Sequence, residues 1–124
     1  MKYMLLIYHE EQGWDTLTEA ERQKIYSEYG KFTQDIMASG HHLGGYELHP
    51  ISTATSVRIR NGEQLATDGP FAETKEQLGG YYLIEAKDLD EAIGIAARIP
   101  SARVGTIEVR PVSEAAAPAK CVGS

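Results

Sequence analysis

The groups in this chain best suited to moving a proton at neutral pH are two adjacent histidines, His41 and His42, and an aspartate, Asp68, that stands before Gly69-Pro70. A histidine within hydrogen-bond reach of a carboxylate is a proton-transfer device, so either histidine with Asp68 is the catalytic reading of this pattern. The alternative is structural. Histidines just past a helix end are solvated or face its unpaired carbonyls, and an aspartate before Gly-Pro accepts backbone N–H bonds and holds the turn. Arg58 and Lys75 are candidate holders of an anionic substrate group, because a guanidinium fork matches a carboxylate and an ammonium supplies a point charge. Their alternatives are a pair between Arg58 and Glu108, and a solvated pairing of Lys75 with Glu73 or Glu76. Tyr81 and Tyr82 offer aromatic faces with hydroxyl tips, and one of the two, with Tyr81 the candidate, is expected to face a substrate cleft.

Other chemistries lack their residues. His9 and His49 stand apart, His41 and His42 are adjacent, and no i, i+4 histidine pair or paired cysteines predict a metal site. Gly44-Gly45 and Gly79-Gly80 lack the surroundings of a phosphate-binding loop, so no nucleotide cofactor is expected, nor any other. The single cysteine, Cys121, forms no internal disulfide, and a reducing cytoplasm is the expected location. With 12 Lys+Arg against 18 Asp+Glu, a formal charge of −6 and no basic cluster, direct binding to nucleic acid or anionic lipid is not expected. The longest apolar run, Met4 to Tyr8, is far short of the ~20 residues of a membrane span and sits wrongly for a secretory signal.

The elements that must position these groups fit one domain, since 124 residues with 42% hydrophobic content can bury a real core. Lys2 to Tyr8 reads as a strand with apolar residues on both faces: Tyr3, Leu5 and Ile7 on one, Met4, Leu6 and Tyr8 on the other. Thr18-Glu19-Ala20-Glu21 has capping-box form and opens a helix whose apolar stripe is Ile25, Tyr29, Phe32 and Ile36, ended by Gly40. His41 to Pro50 reads as an irregular connection with a short strand near Tyr46-Glu47-Leu48. Val57 and Ile59 alternate with Arg58 and Arg60 ahead of Asn61-Gly62, which predicts a hairpin returning through Gln64 to Thr67. Gly80 to Ile84 is a strand with bulky residues on both faces. Asp88 caps a second helix, with Leu89, Ala92, Ile93 and Ala96 as its buried stripe and Pro100 as its stop. Gly105 to Val112 is the last strand, and residues 113–124 are expected to form a flexible tail after a domain spanning 1–112.

Strand, helix, strand hairpin, strand, helix, strand predicts an α+β, ferredoxin-like βαββαβ unit with both helices on one face of an antiparallel sheet. The other face then carries apolar side chains with nothing over them, which a monomer rarely tolerates as a contiguous patch. A homodimer packed sheet to sheet is therefore expected, with Arg58, Arg60, Glu108 and Arg110 as candidates for the polar lining of its interior.

The stretch from Asp68-Gly69-Pro70-Phe71 through Gly79-Gly80-Tyr81-Tyr82, followed by Asp88-Leu89-Asp90-Glu91-Ala92 and Ile107-Glu108-Val109-Arg110-Pro111, resembles the DGPF-type branch of the YCII-related proteins. The opening Met1 to Tyr8 is similar to that family's start. The resemblance implies a dimeric α/β barrel. It also implies either enzymes acting on small, often aromatic or lactone-like compounds, or proteins that sit beside or are fused to sigma factors of the extracytoplasmic-function type. Some relatives carry a histidine on the first helix paired with an aspartate; here Tyr26, Glu28 and Tyr29 occupy that helix and no histidine does, so the dyad does not transfer. Two functions follow: a cofactor-independent enzyme doing acid–base chemistry on a small organic molecule in the dimer cleft, or a non-catalytic ligand-binding or interaction protein associated with such a sigma factor.

Overall fold

The computed structural model describes residues 1–114, so Cys121 and most of the expected tail lie outside the described residues. Chain order is β1 (Lys2–His9), α1 (Glu11–Asp15), α2 (Glu19–Ala38), β2 (His42–Glu47), β3 (Thr55–Arg60), β4 (Glu63–Asp68), β5 (Gln77–Glu85), α3 (Leu89–Ala96) and β6 (Thr106–Pro111), with single 3-10 turns at Ile51–Thr53 and Pro100–Arg103. Four strands form one antiparallel sheet in the order β2-β5-β1-β6, and β3 and β4 pair only with each other. This is the ferredoxin-like α+β arrangement with a hairpin inserted between its second and third sheet strands.

One face of the sheet is covered. Tyr3, Leu5 and Ile7 of β1 and Ile84 of β5 pack with Phe32 and Ile36 of α2 and with Ala92, Ile95 and Ala96 of α3. Tyr82 joins them, its ring 5.2 Å from that of Phe32 and its hydroxyl 2.7 Å from Thr33 Oγ1. On the same side Tyr29 Oη meets Ser101 Oγ at 2.6 Å, and burial pushes both tyrosine phenols above their ordinary pKa. Polar tips thus enter the core only with partners, as the cost of stranding a buried hydroxyl requires.

The helix ends follow the expected local chemistry. Thr18 Oγ1 accepts from Glu21 N at 3.1 Å while Glu21 Oε1 accepts from Thr18 N at 2.9 Å, which completes the capping box. At the other end of α2, Gly40 takes φ +80°, and the N–H groups of Gly40 and His41 return to the carbonyls of Met37 and Ile36, a Schellman closure.

Three details depart from the sequence expectation. The segment read as an irregular connection with a short strand near Tyr46-Glu47-Leu48 supplies a longer strand, β2, at the edge of the main sheet, with Tyr46 opposite Tyr81. Its glycines permit this: a Cβ on Gly45 would lie 2.5 Å from the Tyr81 carbonyl oxygen, so the strand approaches β5 only without a side chain there. The hairpin, expected to supply the second sheet strand, forms its own two-stranded sheet around Asn61 (φ 53°) and Gly62 (φ +79°). In α3 the buried stripe is Ala92, Ile95 and Ala96, while Leu89 and Ile93 are exposed.

Candidate functional site

The second face of the sheet carries side chains with no helix over them. Alternation along β1 puts Met4, Leu6 and Tyr8 there, and the register sets each between neighbours from β5 and β6. Met4 lies between Leu83 and Arg110, Leu6 between Tyr81 and Glu108, and Tyr8 between Leu78 and Thr106. Tyr46 of β2 extends the row, its ring 6.3 Å from that of Tyr81. The face is thus apolar through the middle of β2, β5 and β1, with Lys2 opposite Glu85 at one end, and carries Glu108 and Arg110 on β6.

At that boundary three groups converge. The Tyr8 hydroxyl donates to Glu108 Oε1 at 3.3 Å, and the Arg110 guanidinium donates to Glu108 Oε2. The arginine holds the Glu108 carboxyl below its usual range, against the opposing effect of partial burial and with a smaller contribution from the tyrosine. Burial and the adjacent carboxylate raise the Tyr8 phenol. At neutral pH the cluster is therefore a protonated phenol, an ionised carboxylate and a guanidinium in one row. Arg110 is mostly exposed, so part of its fork remains open to an incoming anion.

A second titratable cluster lies on the helix side. His41 Nε2 is 3.2 Å from Glu91 Oε1, and His41 Nδ1 is 2.7 Å from Ser39 Oγ. Glu91 also accepts from the Lys87 backbone N–H at 3.0 Å, and this bond is the largest cause of its lowered pKa. Serine, histidine and glutamate in hydrogen-bonded series suggest a nucleophile, but the backbone argues against one. The N–H groups of Ser39, Gly40 and His41 are all consumed in closing α2, and a helix C-terminus presents carbonyls, not donors, to a developing oxyanion. The cluster instead ties the end of α2 to the start of α3.

The other sequence-predicted residues are dispersed. His42 stands on the helix-covered face, its ring 6.2 Å from that of Tyr82. Asp68 ends β4 in the separate hairpin, exposed, and the carboxylate that His41 meets is Glu91. Arg58 lies on the same hairpin, exposed and opposite Leu65, while Glu108 takes its cation from Arg110. Lys75 is exposed in the loop before β5, a loop held by Gln77 Nε2 donating to the Thr74 carbonyl at 2.6 Å. Tyr81 lies on the open face and Tyr82 on the covered one. The structure thus brings Tyr81 onto the face that carries Glu108 and Arg110. Tyr8 is the member of that cluster that sequence reasoning passed over as a strand aromatic; its signal was its place in the Met4, Leu6, Tyr8 set.

Among the described residues no group of three or more His, Cys, Asp or Glu side chains is arranged to hold a metal ion, and no helix is long and apolar enough to cross a membrane. An apolar groove of about 260 Å³ beside α3 is lined by Ile93, Ala96, Ala97, Ala102, Ile107 and Val109.

The family model of the YCII-related domain matches residues 1–116. An uncharacterized protein of Rhizobium meliloti (strain 1021) is 34% identical over 115 residues, which cover 91% of this chain and 93% of that protein.

Proposed function

The chain belongs to the YCII-related family, and from that premise we propose that it works as a homodimer, its two open sheet faces enclosing a cleft in which a small, largely apolar organic acid undergoes acid–base chemistry. The observation that carries the reading is the Tyr8–Glu108–Arg110 row at the edge of an apolar sheet face. Met4, Leu6, Tyr81 and Leu83 supply the apolar wall. Arg110 supplies the cation for a carboxylate, and Tyr8 the hydrogen-bond donor beside it.

The resting pair supports a way for this chemistry to be switched on. A carboxylate held low by its arginine is a weak base. When the substrate's anionic group takes the Arg110 fork, Glu108 loses the main cause of its depressed pKa and becomes the stronger proton acceptor, with Tyr8 positioned to stabilise the charge that develops. Substrate binding and base activation are thus one event.

The test is a thermal-shift screen of small organic acids against the wild-type protein, Arg110→Ala and Arg58→Ala, followed by turnover assays on each hit. A ligand that binds only the folded state raises Tm with its concentration. The expected result is a hit lost in Arg110→Ala, kept in Arg58→Ala and turned over by the wild type. A hit lost only in Arg58→Ala would move the site to the hairpin, and saturable binding without turnover would make the protein a binder and not an enzyme.

A further inference from the structure

Cross-strand register divides the open face into rows of residues that run from β6 to β2. One row is Glu108, Leu6, Tyr81 and Tyr46, and the next is Arg110, Met4, Leu83 and Gly44. The two rows end differently. The first is closed at β2 by Tyr46, whose ring stands 6.3 Å from that of Tyr81. The second ends on a glycine, and nothing lies within 4 Å of the place its Cβ would take. Beyond the second row Lys2 stands opposite Glu85, which also pairs with the Met1 amino group. The second row is therefore a strip with a cation at one end, two apolar side chains along its floor and no side chain at the other end, flanked by an aromatic row and a charged one. Alternate residues are roughly 7 Å apart along a strand and neighbouring strands about 4.8 Å apart, so the strip is one hydrocarbon chain wide and spans ~14 Å from β6 to β2.

We propose that the acid taken by this site has an unbranched aliphatic body, its carboxylate on Arg110 and its chain laid across the strands over Met4 and Leu83 to Gly44. The inference rests on the reading above of the open face as the site, and adds the shape of what the site takes. Charge fixes one end: Arg110 is mostly exposed and is the cation of the strip, so the carboxylate sits at β6. The flanks fix the width. A branched or broad body would have to cover the charges of Lys2 and Glu85, which is costly without new partners for them, or push aside the Tyr46 ring. The floor fits a flexible chain, because Met4 is unbranched and adapts to what lies on it. Gly44 fixes the length, since it is the one position of the strip that offers the chain no side chain to run into.

The experiment is calorimetric titration of the full chain with butyrate, hexanoate, octanoate, decanoate and dodecanoate, saturated acids that probe length alone. In the wild type the dissociation constant is expected to fall by about fourfold per added methylene as far as decanoate, with no further gain at dodecanoate, whose end passes Gly44. Arg110→Ala abolishes binding of the whole series. Gly44→Leu fills the open end of the strip, weakens decanoate at least about tenfold and moves the best length to octanoate or below; a thermal melt verifies its fold, and the wild-type series decides by itself should the variant not fold. An affinity that does not change with length, or one that climbs through dodecanoate and is indifferent to Gly44→Leu, overturns the strip while Arg110 keeps its acid. A series that does not bind at all, beside a compact acid from the thermal-shift screen that binds through Arg110, overturns the strip and leaves the site standing. If no acid of either kind depends on Arg110, the site and the strip fall together.

Discussion

Tyr8 and Glu108 meet diagonally across neighbouring strands at 3.3 Å, the phenol donating to a carboxylate that Arg110 keeps ionised. The pair is 100 residues apart in sequence and joined only by the β1–β6 ladder, which sets Leu6 beside Glu108 and Tyr8 beside Thr106. It is the point at which an apolar sheet face acquires polar chemistry.

Replacing Tyr8 by phenylalanine keeps the ring and removes the donor. On the proposed reaction, loss of this hydrogen bond to a charged acceptor lowers turnover of a substrate found by the thermal-shift screen by ~10²-fold with little change in melting temperature. Steady-state kinetics with a parallel thermal melt check this; equal kcat for variant and wild type would exclude Tyr8 from the chemistry.

His41→Ala removes the bridge from Ser39 to Glu91 and costs about 1 kcal/mol of folding stability, measured by urea unfolding. Ligand binding and turnover are unchanged, because His41 ties α2 to α3 and lies on the covered side of the sheet. A large loss of kcat in a folded His41→Ala protein would restore the histidine to the reaction.

Gly45→Ala puts a methyl group where the Tyr81 carbonyl already lies, 2.5 Å away, in a backbone of positive φ. The edge strand β2 must move off β5, at a cost of about 3 kcal/mol. Gly44→Ala, where a Cβ meets nothing within 4 Å, serves as the control and is far milder. Urea melts of both variants read the difference.

Acid weakens the fold through carboxylates whose pKa the native state lowers. Glu21 is lowered by the Thr18 cap, Glu28 by Arg103, Glu91 by the Lys87 N–H and His41, and Glu108 by Arg110. A depressed folded pKa means that the unfolded chain binds the proton more readily. Each contribution is therefore present above the ordinary glutamate value of 4.5 and is lost as pH falls through the folded one. Tm falls from pH 5 downward, and Glu91→Gln flattens part of that slope. At the opposite extreme, phenols raised by burial, Tyr29 and Tyr82, oppose deprotonation, so stability falls again as pH rises above 10. A Tm profile flat from pH 5 to 3 would contradict the carboxylate assignments.

Much of the fold was readable because local and long-range signals coincide. β1 shows its two faces in its own alternation, Thr18 and Glu21 cap where their types allow it, and Asn61-Gly62 takes the positive φ angles of a tight hairpin turn. Only the end of β2 near Tyr46 was readable, because the glycines that let it approach Tyr81 are the residues that ordinarily mark a loop. The site was only half visible. Glu108 and Arg110 declared themselves as charges on a strand, and Tyr81 as one of two aromatics that had to face opposite ways. Arg58 was displaced by topology, since alternation assigns a residue to a face but not its strand to a sheet. The partner of His41 could not be read from spacing, because Glu91 is 50 residues distant and is placed by the packing of α3 beside the end of α2.

The claim on which the rest depends is that the open sheet face is closed by a second copy of the chain. Sedimentation velocity on the wild type and on Leu83→Asp tests it most directly, since Leu83 lies on that face opposite Met4 and outside the core. The wild type is expected to sediment as a dimer at micromolar concentration and Leu83→Asp as a folded monomer. A wild type that sediments as a monomer, or a Leu83→Asp protein that dimerises as tightly as the wild type, would contradict it.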